Sequence, residues 1–112
     1  MTGGAGFIGS HVAETLLREQ HKVTIIDDLN DFYSPDIKRS NLEEVKQAGE
    51  FIFHHADVRD KAKIDAAFEA EPPDVVIHLA ARAGVRPSLL DPLLYEQVNV
   101  QGTITLLEAC RN

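Results

Sequence analysis

Cysteine is almost missing from this chain: Cys110 stands alone among 112 residues. An internal disulfide is therefore excluded, and a reducing, cytoplasmic setting is expected. Cys110 falls in the apolar run Leu106-Leu107-Glu108-Ala109-Cys110 and reads as a small core residue rather than a nucleophile. Positive charge is also scarce. Eleven Lys and Arg face eighteen Asp and Glu, a formal net charge of -7. A sequence-independent nucleic-acid binder needs the opposite excess to neutralise phosphates, so no nucleic-acid partner is expected. No apolar run approaches the ~20 residues that span a bilayer, and no charged-then-apolar leader opens the chain. No membrane partner is expected either. Internal repeats and low-complexity tracts are absent.

What remains is an ordinary globular composition, 44% hydrophobic and 26% charged, with length enough for one domain around one core. The order of elements is legible. Residues 7–19 read as a helix: Ile8, Val12 and Leu16 recur at four-residue spacing, and Ala13 and Leu17 widen the apolar face. Residues 22–26 are β-branched and end in Asp27-Asp28, a strand. Residues 30–36 are polar and turn-like around Pro35. Residues 37–47 form a charged helix with a thin stripe of Leu42 and Val45, stopped by Gly49. Residues 51–56 make a second strand, and 61–69 a helix ended by Pro72-Pro73. Residues 74–80 read as a third strand, apolar enough to be buried on both faces. A long helix is expected from Pro92 or Leu93 to Arg111.

This alternation predicts an α/β fold, a Rossmann-like parallel sheet with flanking helices. In such a fold a glycine turn follows a strand, yet only Met1 and Thr2 precede Gly3. The expectation is a partial domain over 1–112, with its first strand largely missing and its C-terminal half absent.

The turn Gly3-Gly4-Ala5-Gly6-Phe7-Ile8-Gly9 opens the first helix. Helix N-termini offer unpaired N–H groups and the positive end of the macrodipole. Glycines let the backbone turn tightly and approach a pyrophosphate. Gly4, Gly6 and Gly9 fit the G-x-G-x-x-G spacing; Gly3, Gly6 and Gly9 fit a wider register. Either alone is also compatible with a capping turn whose glycines serve packing. The following strand adds weight. Asp27 lies 24 residues after Gly3, near the distance at which a carboxylate meets the adenosine ribose hydroxyls. Such an acid repels a 2′-phosphate and favours NAD over NADP. The bland alternative is a strand-end turn residue, and Asp28 is the neighbouring candidate.

Residues 2–11, Thr-Gly-Gly-Ala-Gly-Phe-Ile-Gly-Ser-His, resemble the opening of the extended short-chain dehydrogenase/reductases, specifically the NAD-dependent epimerases and dehydratases that act on nucleotide sugars. Asp27-Asp28-Leu29-Asn30 is similar to the family's ribose-binding strand end. Ala56-Asp57-Val58-Arg59-Asp60 is similar to the segment flanking adenine. His78-Leu79-Ala80-Ala81 is similar to the strand end beside the pyrophosphate and ribose, and Asn99-Val100-Gln101-Gly102-Thr103 to the Asn-x-x-Gly-Thr stretch of the next helix. The resemblance covers the whole chain. Within the family, Asn30-Asp31-Phe32-Tyr33, Ala83-Gly84-Val85-Arg86-Pro87-Ser88 and Pro92-Leu93-Leu94-Tyr95 look most like the UDP-glucuronate 4-epimerases. The resemblance implies NAD held by Gly3, Gly6, Phe7, Ile8 and Gly9 at the turn; by Asp27, Asp28 and Asn30; by Asp57 and Val58; by Leu79, Ala80 and Ala81; and by Asn99.

It also implies a chemistry. In the full-length family a tyrosine phenolate takes a sugar hydroxyl proton while hydride passes from C4 to the nicotinamide, then returns to the opposite face. A lysine four residues after the tyrosine lowers its pKa, and a Ser or Thr orients the hydroxyl. No such pair is present. Tyr33 is followed at that spacing by Ile37, with Lys38 one position too far; Tyr95 is followed by Asn99. No catalytic residue is assigned, and no epimerisation by this chain alone is expected. The five histidines suggest no metal site: His54 and His55 point to opposite faces of a strand, and His11, His21 and His78 sit on other elements. His78 is expected to pack near the sheet end. Arg82 and Arg86 follow a strand end at the ligand side of the sheet. They suit either an anion or plain solvent.

Three readings follow: an NAD-binding portion of a nucleotide-sugar epimerase or dehydratase, whose full-length partner is UDP-glucuronate or a similar nucleotide sugar; a non-catalytic nucleotide-binding or interaction module; or a remnant that binds nothing tightly. Exposed sheet edges also favour a homo-oligomer or a borrowed strand.

Overall fold

The computed structural model describes residues 1–112. Its sheet is organised around β1 (Thr24–Asp27) and β2 (Ile52–His55), which pair in parallel with Thr24 opposite Ile52 and Asp27 opposite His55. Thr2 bridges Ile26 on one side and His78 on the other, both in parallel. Four rows of backbone thus lie in the order β2, β1, Met1–Thr2, and the segment through His78. Successive residues of a strand face opposite sides, and the core divides accordingly. Ile25 joins Ala5, Ala13, Leu17, Val23, Leu42 and Val45 on one face. Ile26 joins Ala56, Val58, Ile64, Ala67, Leu106 and Ala109 on the other. Helices α1 (Phe7–Arg18) and α2 (Pro35–Ala48) cover the first face, and α3 (Lys61–Ala70) and α6 (Gly102–Arg111) the second. This is the expected α/β arrangement of a parallel sheet between flanking helices.

Capping chemistry sets the helix starts. Ser34 accepts the Asp36 N–H at 3.3 Å with Pro35 at the first helical position, so α2 begins two residues before the expected Ile37. Asp60 caps α3 through the Lys63 N–H, and Asp91 caps α5 (Pro92–Glu96) through the Leu94 N–H. A short helix, α4 (Val85–Leu90), occupies a stretch for which no element was expected.

Four expectations need correction. The segment 74–80 is not a strand: it makes a single bridge, at His78, because only Thr2 lies beside it. Nor is it buried on both faces, since Val75 is 75% exposed. The face of α1 that meets the sheet is Gly9, Ala13 and Leu17, whereas Ile8 is 63% exposed. Gly9 takes the first position on this face because α1 starts hard against the glycine turn, where a Cβ would meet the Gly3 backbone. The long C-terminal helix is continuous but not uniform: residues Gln97–Gln101 form a π turn between α5 and α6. Cys110 is exposed rather than in the core; Leu106 and Ala109 take the buried face of α6, and one residue further turns away by ~100°.

Candidate functional site

The first turn of α1 has no side-chain cap. The N–H groups of Ile8 and Gly9 find no acceptor in the protein, because helical bonding begins with the Ser10 N–H on the Gly6 carbonyl. These groups and the positive end of the helix open onto a cleft of about 280 Å³ at the C-terminal ends of β1 and β2. That volume falls just below the ~300–1,000 Å³ typical of small-molecule sites. The cleft gathers Gly3, Gly6, Phe7, Ile8, Gly9, Asp27, Asp28, Asn30, Asp57, Val58, Leu79, Ala80 and Ala81. Every residue expected at the cofactor therefore lines one cavity, except Asn99.

The glycines divide by what surrounds them. A Cβ on Gly3 would lie 2.7 Å from the Ala80 nitrogen, and Gly3 holds φ +72. A Cβ on Gly9 would lie 1.9 Å from the Gly3 carbonyl oxygen. Both are required by the backbone packing of the turn itself. Gly6 differs: its Cβ would stand 3.3 Å from the Gly3 oxygen and from the Tyr33 hydroxyl, on the cleft side. Its bare Cα keeps the cradle open, a vacancy that suits a phosphate group meeting the helix N-terminus.

The two acids at the end of β1 behave differently. Asp27 is buried. Its Oδ2 accepts the Ala5 N–H at 3.0 Å, and its Oδ1 accepts the Leu29 N–H at 2.9 Å. Asp28 is half-buried and takes both the Asn30 N–H and the Asn30 Nδ2–H on Oδ1 alone, leaving Oδ2 free. Asp57 is gripped by Arg59, whose Nη2 donates to Oδ2 at 2.6 Å and whose backbone N–H donates to Oδ1 at 2.8 Å. These hydrogen bonds hold the Asp57 carboxyl below the usual range, against the opposing effect of burial. Asn99 lies outside the cleft lining and clasps the loop after His78: its Oδ1 accepts the Arg82 N–H at 2.8 Å, and its Nδ2 donates to the Arg82 carbonyl at 2.9 Å.

Behind that loop runs a continuous chain of bonds from the Ala80 N–H to the Asn99 carbonyl. Thr103 Oγ1 donates to the Asn99 carbonyl at 2.6 Å, so it must accept from His78 Nε2, 3.0 Å away. His78 Nδ1 then accepts the Thr2 hydroxyl at 2.6 Å, and Thr2 Oγ1 accepts the Ala80 N–H at 3.2 Å. Only a neutral His78 protonated on Nε2 satisfies every member. Burial lowers its pKa, in keeping with that form.

Residues that sequence reasoning missed also line the cleft. Lys38 is buried, 3.8 Å from Asp27 Oδ1 and 5.1 Å above the Tyr33 ring. Tyr33 sits at the N-terminus of α1. Burial, with Asp27 nearby, raises its phenol pKa, opposed by the approaching Phe7 N–H. The available signal was periodicity: Lys38, Leu42 and Val45 continue one stripe at i, i+4, i+7. No group of three or more His, Cys, Asp or Glu side chains is placed to hold a metal ion.

The family model of GDP-mannose 4,6 dehydratase matches residues 1–112. The chain belongs to this family. It is 43% identical over its whole length to the UDP-glucuronate 4-epimerase of Thermodesulfobacterium geofontis, covering 35% of that protein. To UDP-glucuronate 4-epimerase 3 of Arabidopsis thaliana it is 38% identical, covering 26%. Among solved structures, the UDP-glucose 4-epimerase of Thermus thermophilus in complex with NAD superposes with TM-score 0.83 at 41% identity, over 98% of this chain and 32% of that one. The enzyme from Bifidobacterium longum, in complex with NAD+ and UDP, gives TM-score 0.85 at 33% identity over the same shares. This chain thus spans about a third of the length of such relatives. The family is that of NAD-dependent nucleotide-sugar epimerases and dehydratases, as the sequence motifs implied.

Proposed function

We propose that this chain is an NAD-binding portion of a nucleotide-sugar epimerase or dehydratase resembling the UDP-glucuronate 4-epimerases. One observation carries the reading: the uncapped N-terminus of α1 opens into the same cleft as two strand-end acids and the Asp57–Val58 corner. A dinucleotide is long, and it needs these three features in a row. The N–H groups of Ile8 and Gly9 receive the pyrophosphate, with Gly6 allowing close approach. The free Oδ2 of Asp28 accepts a ribose hydroxyl, with Asp27 and Asn30 beside it. Asp57, fixed by Arg59, and Val58 border the adenine. Leu79, Ala80 and Ala81 form the opposite wall, and Asn99 holds that wall in place from behind. When bound, NAD supplies a hydride acceptor; the residues here position it and contribute no proton relay, because neither tyrosine has a lysine four residues on.

The similarity to UDP-glucuronate 4-epimerases supports a nucleotide sugar as the substrate of the complete enzyme. For this chain the expected behaviour is NAD binding without C4 inversion of UDP-glucuronate. Calorimetric titration with NAD and with NADP tests it. NAD is expected to bind more tightly than NADP, since a carboxylate at the ribose repels a 2′-phosphate. No heat and no thermal shift at millimolar NAD overturns the proposal.

A further inference from the structure

The glycine turn is fixed from outside, by a helix with no glycine-turn motif of its own. Ala5 is fully buried at the centre of the turn, and both peptide planes that flank it are held. The N–H of the Gly4–Ala5 peptide donates to Asp27 Oδ2 at 3.0 Å. The carbonyl of the Ala5–Gly6 peptide accepts Asn41 Nδ2–H at 2.9 Å. Asp27 in turn has Lys38 Nζ 3.8 Å from its Oδ1, both side chains being less than a tenth exposed. Lys38 and Asn41 stand three residues apart on α2 and so share one face. A lysine is almost never buried without a partner, because desolvating an ammonium costs several kcal/mol. Here the Asp27 carboxylate and the face of Tyr33, 5.1 Å from Nζ, provide the compensation.

We infer that Lys38 and Asn41 are positioning residues which, through Asp27 and Ala5, hold the phosphate turn in its ligand-ready shape. The effect on ligands rests on the NAD-binding reading; the clamp itself does not. Two effects combine. Gly4 and Gly6 flank Ala5, and glycines give the backbone its widest conformational freedom. Fixing both planes removes that freedom before a ligand arrives, so the ordering cost falls outside the binding step. Second, Asp27 places a buried negative charge under a turn that receives phosphate. Lys38 neutralises it where the cleft, lined also by Asp28 and Asp57, is otherwise acidic. Neither residue needs to touch the cofactor to do this.

The test has two independent readouts. Without any nucleotide, amide hydrogen exchange at Ala5 is followed by NMR in wild type, Lys38→Met and Asn41→Ser. Protection at Ala5 is expected to fall by about tenfold in both variants, while the Ile64 amide on the far side of the sheet stays protected. Unchanged Ala5 exchange overturns the clamp, whatever the protein binds. With ligands, ADP and adenosine are titrated separately. Lys38→Met is expected to weaken ADP by about tenfold and adenosine by less than about threefold, and Lys38→Arg to restore ADP. Equal losses for both ligands overturn the positioning role. Asn41→Ser leaves no buried charge unpaired, so it gives the same reading if Lys38→Met does not fold. A wild-type chain that binds neither ligand refutes the NAD-binding proposal and leaves the exchange experiment to decide the clamp.

Discussion

Replacing Gly9 with alanine puts a Cβ 1.9 Å from the Gly3 carbonyl oxygen, 2.7 Å from its carbon and 3.0 Å from Gly4 Cα. All three are backbone atoms, so no side-chain rotation relieves the overlap. The turn has to retreat by about 1.5 Å to restore an ordinary contact. It has no room, because Gly3 already lies against the backbone of Ala80, where even a Cβ would be 2.7 Å from nitrogen. Forced overpacking of this kind costs about 1–3 kcal/mol, and a rigid neighbour places it at the upper end. Alanine recovers up to ~1 kcal/mol of helix propensity. The net loss is about 2 kcal/mol, a large share of the ~5–15 kcal/mol that holds a domain together.

Gly6→Ala is the matched control. Its φ of -78 and ψ of 176 suit any residue, and the nearest atoms, at 3.3 Å, include the movable Tyr33 hydroxyl. The fold is expected to lose less than ~1 kcal/mol. The new methyl, however, stands in the cleft at the uncapped N-terminus of α1. Urea unfolding followed by circular dichroism, with NAD titration of each variant, separates the two. Gly9→Ala is expected to lower the unfolding midpoint strongly. Gly6→Ala is expected to keep it and to weaken NAD by about tenfold or more. Gly9→Ala with wild-type stability, or Gly6→Ala with wild-type NAD affinity, would falsify the division of labour drawn from the turn.

His78 makes stability depend on pH. Burial lowers its pKa below the ordinary 6.5, so the unfolded chain takes up the proton first as pH falls. Its contribution is intact above 6.5 and is lost as pH drops through that value toward the folded one. The urea midpoint should fall between pH 7.5 and pH 5.5, and His78→Gln should flatten that slope; identical slopes would count against the neutral relay. Cys110 is exposed, so a thiol reagent in native buffer should modify one equivalent at once. Reaction only after denaturant would mean that α6 is rotated from the orientation described.

What the sequence revealed, and what it hid, follows from how local each signal is. The glycine turn, α1, β1, α2, β2 and α3 are written in contiguous patterns, and the cleft residues come with them because the ends of those elements converge. The segment 74–80 has an equally strong apolar pattern, yet pairing depends on a neighbour, and Thr2 supplies one bridge. Pattern alone cannot state whether an edge is paired. On α1, Ala13 and Leu17 of the apolar face reach the core as their spacing suggested, whereas Ile8 is exposed because Gly9 takes the position against the turn. Lys38 was hidden by chemistry: a lysine on a charged helix looks solvated until Asp27 and Tyr33 are placed against it. Asn41 carries no local signal at all, since its partner is a backbone carbonyl 36 residues earlier.

The proposed NAD site has two candidate ribose acids, and their bonding differs. Adjacent residues at a strand end face opposite ways, and here Asp27 turns inward to the turn while Asp28 keeps one oxygen free. The sequence spacing favoured Asp27 as the ribose acid; its two oxygens are already committed to Ala5 and Leu29. On the proposed NAD-binding reading, repulsion of a 2′-phosphate is expected mainly of Asp28, whose Oδ2 accepts no bond in the protein. Asp28→Asn is the informative change, because the amide oxygen still accepts the Asn30 N–H while the charge is lost. NADP affinity should rise relative to NAD by about tenfold, and the gap from wild type should narrow in ~1 M salt, where the wild-type carboxylate is screened within ~3 Å. Asp27→Asn should instead weaken both cofactors together, since it loosens the Ala5 anchor and leaves Lys38 without its countercharge. If Asp27→Asn relaxed the NAD preference and Asp28→Asn did not, the ribose acid would be Asp27, and its bonds to the turn would have to yield when the cofactor binds.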